Sequence, residues 1–515
     1  MTADTQMQER VFAFLTDPAT HPDVHRIDTH AASVFLEGDR ALKIKRAVRF
    51  PYLDYSTLAK RKAACDEEVR INRPFAPQIY RRVVMITQAE DGSFDIEGEG
   101  KPVEFAIEMA RFDERQTIDH LAEAGPLDQD VVDALVDAIS ASHTAAPLVP
   151  TEPWINSIPA FIEDSTTAFR TAGDLPAGAI DDLNDGSQAA FSRIRRVLEQ
   201  RGRQGFVRRC HGDLHLANIV LIEGKPVLFD AIEFDPEIAS VDVLYDLAFP
   251  MMDFLRYGRQ AAANTLLNRY PEITSGEHLG ALAALPLFMS LRAAIRAKVL
   301  FARLSPACRD EASIRSSARA YFELARRLIH PAAPTLVAIG GLSGTGKSVL
   351  ARAFAPDVLP PPGAIVLRSD ALRKQLFGIY ETDRLPQDAY RPQVTGQVYE
   401  LLADRAARIL GQAHSVVVDA VFAKQEERDA INNVARKLNA RFVGLFLVTD
   451  LVTRQSRVGR RQSDASDATP EIAERQEKYD IGSVDWTVID ASGTPEQTLR
   501  QCQARIAHGE TEQVR

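Results

Sequence analysis

Residues 341–348 read Gly-Leu-Ser-Gly-Thr-Gly-Lys-Ser, and this stretch decides the fold of the C-terminal part of the chain. An apolar run at 335–339 precedes it and a helical pattern follows it, which is the context that a phosphate-binding loop requires. In such a loop the backbone amides and the helix dipole face phosphate oxygens, the lysine reaches the β and γ phosphates, and the serine ligates Mg²⁺. We therefore expect ATP or GTP binding with Mg²⁺ at Gly341, Ser343, Gly344, Thr345, Gly346, Lys347 and Ser348.

Strand-like and helical runs alternate on the C-terminal side of this loop. Further strand-like runs lie at 364–367, 415–418 and 442–448, and helical patterns begin at 347 and 370. This alternation predicts a parallel sheet with helices on both faces. We therefore expect an α/β P-loop domain over residues 335–515.

Two acidic residues follow strands of this predicted sheet. Asp370 lies where a carboxylate faces the crevice above the phosphate loop, so it suits the role of a base for a substrate hydroxyl. A helix cap at Ser369 or Asp370 is the structural alternative. Asp419 ends the run 416–418 and suits either the Mg²⁺ shell or a turn cap.

A cluster of arginines lies further along the chain, at Arg454, Arg457, Arg460 and Arg461. Arginines on a hydrophilic segment can close over ATP and stabilise the transferring phosphoryl group. A solvated helix face is the alternative interpretation for each of them.

Together, residues 341–348, 368–370, 417–420 and 457–467 resemble the small P-loop kinases related to gluconate kinase, zeta toxins and polynucleotide kinase. This resemblance implies that Asp370 is the general base and that Arg373 contacts the substrate. It also implies that the arginine segment, with Arg457 and Arg461, forms a lid over ATP. Substrates vary widely across these kinases, so the resemblance does not name one.

A second, separate set of residues lies upstream, in His211-Gly-Asp213 and the Asn218 that follows. Asp213 and Asn218 have the spacing of a loop in which the aspartate meets the acceptor hydroxyl and the asparagine binds Mg²⁺. Asp230 follows the strand-like run 226–229 and would supply a second metal ligand. Loop Asp and Asn residues are commonly turn formers, but the joint spacing with a strand between favours phosphoryl transfer.

A catalytic loop of this type needs a strand lysine held by a helix glutamate. Lys43 and Lys45 share one face of a predicted strand, and the next helical stretch carries Glu67 and Glu68. We predict the pair Lys43 with Glu68 and expect Lys45 and Glu67 to be surface charges. Strand-like runs between residues 27 and 110, followed by mainly helical patterns, predict a two-lobed α+β domain.

This second set resembles the aminoglycoside phosphotransferase branch of the protein-kinase-like fold over residues 25–330. The Gly-rich loop of that fold is absent, and residues 28–33 stand in its place, with Thr29 or Ser33 left to contact phosphate. Three histidines are expected to have supporting positions: His211 is packed, His215 is either packed or exposed, and His143 lies in the core. Asp242 and Asp246 are expected to form hydrogen bonds to the catalytic loop. The whole chain resembles bacterial proteins that fuse such a domain to a predicted P-loop kinase.

Two prolines in residues 331–334 block helix continuation, so we place a linker there. The predicted domains are 1–330, with lobes at about 25–112 and 113–330, and 335–515. The chain has 515 residues and a net charge of −10, which disfavours a broad nucleic-acid surface. The cysteines are scattered and no signal peptide is visible, so we expect a cytoplasmic protein. Charges inside the apolar stretch 279–301 predict that this stretch does not span a membrane.

The leading interpretation is a bifunctional ATP-dependent kinase that phosphorylates hydroxyls of small polar metabolites such as sugars or amino sugars. In a first alternative, the P-loop domain phosphorylates a nucleotide or a nucleic-acid 5′-hydroxyl. In a second alternative, the chain is a nucleotide-sensing regulator in which one domain is active.

Overall fold

The computed structural model describes residues 3–50, 53–274, 277–304, 310–380, 383–460 and 466–512. The chain divides into two compact units. The first unit comprises Met1–Ile180, Phe191–Tyr257 and Leu291–Arg315. The second, which we call the P-loop unit, comprises Asp181–Ala190, Gly258–Ser290 and Ser316–Arg515, so it includes segments that precede the linker at 331–334.

A six-stranded antiparallel sheet forms the small lobe of the first unit, in the order β1-β2-β3-β8-β6-β7. The short strands β4 and β5, of two residues each, pair with each other in antiparallel orientation. The strands are β1 (His25–Asp28), β2 (Ala32–Glu37), β3 (Arg40–Lys45), β4 (Arg49–Phe50), β5 (Leu53–Asp54), β6 (Tyr80–Gln88), β7 (Phe94–Ile96) and β8 (Lys101–Ala110).

Two helices, α1 (Ala3–Leu15) and α2 (Leu58–Asn72), pack in the two apolar cores of this lobe. Side chains alternate across a strand. Leu42 and Ile44 of β3 therefore join Phe12 of α1 in one core, whereas Ala41 joins Cys65 of α2 in the other. This alternation directs Lys43 and Lys45 to the face on which α2 packs.

The chain from 118 to 329 is mainly helical, as predicted, with two short strand pairs around the Asp213 loop. The pairs are β9 (Val207–Arg209) with β12 (Ser240–Asp242), and β10 (Ile219–Ile222) with β11 (Lys225–Leu228). The helices are α3 (Ile118–Ala124), α4 (Gln129–Ala145), α5 (Thr151–Ala172), α6 (Ala177–Arg203), α7 (Pro236–Ala239), α8 (Val243–Arg256), α9 (Gln260–Ile273), α10 (Leu285–Ala302) and α11 (Glu311–Ile329).

A five-stranded parallel sheet forms the centre of the P-loop unit, in the order β14-β15-β13-β16-β17. Its strands are β13 (Thr335–Gly340), β14 (Ile365–Arg368), β15 (Val416–Asp419), β16 (Arg441–Val448) and β17 (Thr487–Asp490). The helices of this part are α12 (Lys347–Phe354), α13 (Ser369–Leu376), α14 (Pro392–Leu410), α15 (Gln425–Lys437), α16 (Leu451–Gly459), α17 (Pro470–Arg475) and α18 (Pro495–Glu512).

The predicted fold class is confirmed: a two-lobed α+β region precedes an α/β region with a parallel sheet. The stretch His278–Ala302 is long and apolar enough to cross a membrane by length and composition, but 78% of its most apolar window is buried inside the protein. Among the described cysteines, Cys65, Cys210 and Cys502 are buried free thiols, and Cys308 lies outside the described residues.

Candidate active sites

The first candidate site is built on an ion-pair network between the two lobes of the first unit. Lys43 on β3 lies 2.8 Å from the Glu68 carboxylate on α2 and 2.5 Å from that of Asp230. Glu68 is fully buried. Burial opposes the charged form of Lys43, but the carboxylates of Asp230 and Glu68 outweigh it and raise the pKa of Lys43 above its ordinary value. The predicted partners Lys43 and Glu68 are thus in contact.

The expectation that Lys45 is a surface charge was wrong. Lys45 is only 3% exposed, and its ammonium group bridges the carboxylates of Glu68 and Glu233. Tyr55 donates a 2.8 Å hydrogen bond to the same Glu233 oxygen. The reason is geometric, because Lys45 shares the face of β3 with Lys43 and both side chains meet α2. Glu67, in contrast, is partly exposed and pairs with Arg70.

The loop between β9 and β10 brings Asp213 and Asn218 together. Asn218 Nδ2 donates to the backbone oxygen of Asp213 at 2.9 Å and lies 3.4 Å from its Oδ2. The Asp213 side chain is 42% exposed and lies 3.4 Å from His215 Nε2. Burial raises the pKa of this carboxyl, but His215 and then Arg296 outweigh the effect and hold the pKa below its ordinary value.

Asp230 is the second residue after β11 and has a left-handed conformation, with φ of 62°. Its backbone N–H donates to the Tyr80 hydroxyl at 3.1 Å, and the next residue, Ala231, donates to Asn72 Oδ1 at 2.8 Å. Burial opposes ionisation, yet Lys43 holds the pKa of Asp230 below its ordinary value. The Asp230 carboxylate therefore lies against Lys43, and it is near enough to Asp213 for the two carboxylates to repel each other.

Asp246 on α8 supports the Asp213 loop, as predicted. Its Oδ1 accepts from the backbone N–H of Gly212 at 3.0 Å, and its Oδ2 lies 3.2 Å from His143 Nε2. Arg292 donates to the Gly212 carbonyl at 2.9 Å, with its guanidinium 3.9 Å from the Tyr245 ring centre. The prediction of a core position for His143 is confirmed, since the residue is 3% exposed.

Of two other expectations about this loop, the one for His211 is confirmed and the one for Asp242 is wrong. His211 is a packed histidine as predicted: it is 6% exposed, its Nε2 lies 2.9 Å from the Phe229 carbonyl, and burial lowers its pKa. Asp242 does not bond the Asp213 loop. It caps α8 through the Leu244 N–H and forms a bidentate ion pair with Arg201, because it precedes the helix instead of lying on it with Asp246.

The turn that stands in place of a Gly-rich loop uses its own hydroxyl groups internally. Ser33 is fully buried and donates to Asp28 Oδ1 at 2.6 Å. Thr29 Oγ1 donates to the Ala32 carbonyl at 3.0 Å and accepts from the Ala32 N–H at 2.9 Å. Both hydroxyls proposed as phosphate contacts are thus engaged in closing the β1–β2 hairpin.

The second candidate site is the loop between β13 and α12. Gly341, Gly344 and Gly346 adopt φ values of 133°, 88° and 96°, which side chains rarely tolerate. Lys347 Nζ donates to the Leu342 carbonyl at 3.1 Å, and the Thr345 hydroxyl donates to the same carbonyl at 2.8 Å. The loop is therefore a compact turn that leads directly into the N-terminus of α12, the end of a helix that favours an anion.

Ser348 and Asp419 are adjacent in this site. The Ser348 hydroxyl donates to Asp419 Oδ2 at 2.5 Å, and Arg368 Nε lies 3.6 Å from the same oxygen. The contact follows from the parallel register, which aligns Asp419 at the end of β15 with Ile339 of β13 and Arg368 of β14. Hydroxyl and carboxylate oxygens are the ligands that Mg²⁺ prefers.

Asp370 and Arg373 lie on α13, directly after β14. The residue before the helix is Arg368, and no side chain caps the helix, so Asp370 is not used as a cap. Burial raises the pKa of Asp370, and Asp419 adds to this effect against the Ser466 hydrogen bond and the Lys347 charge. Arg373 is 6% exposed and donates to the Ala389 carbonyl at 2.6 Å, so this guanidinium is held by its own unit.

The arginine cluster divides between buried and exposed positions. Arg457 donates to the Gly493 carbonyl at 2.8 Å, and with Arg460 it lines a cavity of about 320 Å³ beside Gly344–Gly346. Arg454 is 1% exposed, pairs with Glu477 and donates to the Ser343 carbonyl at 3.4 Å. Arg461 lies outside the described residues.

Two residues of these sites escaped the sequence interpretation. Gln476 accepts a 2.7 Å hydrogen bond from the Ser343 N–H, although it lies 133 positions further along the chain. Glu233 completes the buried network of Lys45. Neither belongs to a spacing pattern. The one sequence signal for Glu233 is that it follows Asp230 by three residues. That spacing identifies Glu233 as a partner only when Lys45 is known to be buried.

Comparison with known proteins gives separate matches for the two regions. Residues 336–479 match the AAA_33 family model, described as an AAA domain. The C-terminal region resembles P-loop kinases, and the N-terminal region resembles choline/ethanolamine kinases and aminoglycoside-phosphotransferase-like kinases, so the family resemblances drawn from the motifs are confirmed.

Particular relatives are similar to one region or to nearly the whole chain. An uncharacterized protein of Mycobacterium tuberculosis is 27% identical over 494 residues, covering 92% of this chain and 93% of that protein. A gluconokinase from Sinorhizobium meliloti 1021 is similar over 35% of this chain and 98% of its own, with 21% identity and a TM-score of 0.26. A choline/ethanolamine kinase family protein from Mesorhizobium loti is similar over 63% of this chain and 99% of its own, with 14% identity and a TM-score of 0.38.

Proposed function

We propose that the chain is a bifunctional ATP-dependent kinase that phosphorylates hydroxyl groups of small polar metabolites such as sugars or amino sugars. The observation that carries the proposal is that each unit brings together side chains that its sequence motifs propose for phosphoryl transfer. Lys43, Glu68 and Asp230 are in contact in the first unit. Ser348 and Asp419 are in contact beside the phosphate loop of the P-loop unit. We also propose 1–330 and 335–515 as the domains, with the linker at 331–334.

In the first unit, Asp213 is the base that accepts the proton of the acceptor hydroxyl. Its lowered pKa keeps it ionised, and its side chain is partly exposed, so a ligand can reach it. Lys43 would contact the α and β phosphates of ATP, held in place by Glu68. Asn218 and Asp230 offer the amide and carboxylate oxygens that suit Mg²⁺, which when bound would neutralise charge on the phosphates.

In the P-loop unit, Asp370 is the corresponding base, and its raised pKa places it closer to the pH at which a carboxylate accepts protons effectively. Lys347 and the amides of 341–348 hold the phosphates, and Ser348 and Asp419 suit Mg²⁺. Arg457 and Arg461 are proposed as the lid, and Arg373 as a substrate-side contact. The cavity beside Gly344–Gly346 supports Arg457 as part of the nucleotide site.

The test is to incubate the full chain with Mg²⁺, ATP and a mixture of hydroxylated metabolites and to identify products by mass spectrometry. The wild type is compared with Asp213→Asn and Asp370→Asn, which remove one proposed base each with little change of shape. We expect each substitution to remove a different phosphorylated product, or one to block conversion of the other's product. Absence of any phosphorylated product from the folded wild type would refute the proposal.

The closed β1–β2 hairpin favours a second candidate, a nucleotide-sensing regulator in which the P-loop unit alone is active. Thr29 and Ser33 have their hydroxyls engaged inside the hairpin, so the first unit has fewer phosphate contacts than a Gly-rich loop offers. In this case Asp213→Asn would leave all ATP turnover unchanged, whereas Asp370→Asn would remove it.

A further inference from the structure

The edge strand of the P-loop sheet has an outer side that faces α9. β14 is the first strand in the sheet order, with β15 on its inner side. Ile365 N donates inward to the Ser415 carbonyl at 3.0 Å. Because successive residues direct their backbone groups to opposite sides of a strand, the N–H of Val366 and the carbonyl of Ala364 point outward. Such an edge ordinarily requires cover.

Two asparagines of α9, Asn264 and Asn268, supply this cover, and we call them the asparagine clamp. Asn268 Oδ1 accepts from Val366 N at 2.7 Å, and its Nδ2 donates to the Ala364 carbonyl at 3.1 Å. Asn264 Nδ2 donates to the same carbonyl at 3.1 Å. Asn268 therefore makes the donor and acceptor contacts that a neighbouring strand would make.

Asn264 of the clamp packs against Gly363, at a distance that leaves no room for a side chain on that residue. Asn264 is 5% exposed, and its Nδ2 would lie 2.6 Å from a Cβ placed on Gly363, whose φ is 107°. A buried carboxamide that lacks hydrogen bonds is energetically costly, so the hydrogen bond to the Ala364 carbonyl stabilises Asn264 at this position. The segment after α9 is also held to the same unit, because the Ala283 N–H donates to Gln412 Oε1 at 3.4 Å.

The clamp acts on the strand that carries the proposed base. β14 ends at Arg368 and α13 begins at Ser369, so no loop separates Val366 from Asp370. A shift of β14 along its neighbour would therefore move the Asp370 carboxylate relative to Asp419 and Lys347. β15 restrains β14 on one side, and the clamp restrains it on the other.

We propose that Asn268, supported by Asn264, is a positioning residue for Asp370. It touches no substrate and acts through the backbone of β14, and the inference rests on the proposed role of Asp370 as base. The phosphate loop follows β13, the central strand, which the clamp does not contact. Loss of the clamp should therefore lower turnover without weakening ATP binding.

The test uses the full chain with Asn268→Ala and, as a matched control, Gln260→Ala, which removes an exposed side chain from the first turn of the same helix. Hydrogen exchange is measured on the peptide covering residues 364–370. Asp370-dependent turnover is measured in an Asp213→Asn background. We expect Asn268→Ala to speed exchange of Val366 and lower kcat, each about tenfold, as loss of roughly one well-formed hydrogen bond implies. KM for ATP should stay at the wild-type value, and Gln260→Ala should change nothing.

Asn268→Asp serves as a second variant, because it keeps an acceptor for Val366 N while losing the donor to Ala364. It should fall between wild type and Asn268→Ala, and it decides the matter if the alanine variant does not fold. Faster exchange with unchanged kcat would make the clamp a structural cover and overturn the inference, as would unchanged exchange. A wild type without Asp370-dependent turnover would instead refute the proposed function, and the inference would fail with it.

Discussion

Replacing Lys45 with methionine tests whether the buried charge network holds the first unit together. The substitution keeps most of the side-chain volume but removes the ammonium group that bridges Glu68 and Glu233. Both carboxylates are buried, with Glu68 at 0% and Glu233 at 8% exposure. Removing one partner of a buried ion pair costs about 3–5 kcal/mol, since a charge is left without compensation.

The lower end of that range applies here, because each carboxylate keeps one other partner. Glu68 retains Lys43 at 2.8 Å, and Glu233 retains the Tyr55 hydroxyl at 2.8 Å. A loss of about 3 kcal/mol corresponds to a fall of roughly 6–12 °C in the melting temperature of a unit of this size. Differential scanning calorimetry of the full chain measures that fall in the transition of the first unit.

Lys60→Met is the matched control, because Lys60 pairs with Asp54 but is half exposed. Exposed pairs contribute less than about 1 kcal/mol, so this variant should melt close to the wild type. Adding Glu233→Gln to Lys45→Met should recover part of the loss, because it removes one uncompensated charge. A Lys45→Met protein that melts with the Lys60→Met control would refute the reasoning.

Two further predictions concern the candidate bases and the phosphate loop. A base works only when it is ionised, and the pKa of Asp370 is raised whereas that of Asp213 is lowered. As the solution is acidified, Asp370-dependent turnover should therefore fall at a higher pH than Asp213-dependent turnover. Measuring kcat against pH for Asp213→Asn and Asp370→Asn separates the two activities, and coincident profiles would contradict this assignment. Gly344→Ala should weaken ATP binding to the P-loop unit by about 1–3 kcal/mol, because φ is 88° and the new Cβ would lie 2.6 Å from the Arg454 carbonyl. Isothermal titration calorimetry measures the loss, with Gly396→Ala, where a Cβ meets nothing within 4 Å, as the control that should bind ATP normally.

The sequence was sufficient for features that depend on neighbouring residues. The strand, loop and helix around 341–348 follow from an apolar run, glycines at strained angles and a helix start, which all lie within a few turns of chain. The spacing of Asp213, Asn218 and Asp230 likewise reflects one loop and one hairpin. Lys43 and Glu68 could be paired because a strand and the next helix are the simplest partners in such a lobe.

Contacts between distant segments could not be read in this way. Lys45 has the same local pattern as Lys43, but its buried network includes Glu233, which lies 188 positions further along the chain. Gln476 meets Ser343, and Asn268 meets Val366, across 133 and 98 positions of chain. No periodicity in the sequence encodes such a meeting.

The sequence by itself determined a two-lobed α+β region followed by an α/β region with a parallel sheet, and it named candidate site residues in each, because propensity, hydrophobic period and motif spacing are local properties. Only the tertiary structure decided which charges are buried, which hydroxyls are engaged, and that α9 covers the edge of the P-loop sheet. The physical reason is that burial and hydrogen-bond satisfaction are properties of the packed chain. A polar side chain has a partner or lacks one only after distant segments have come together.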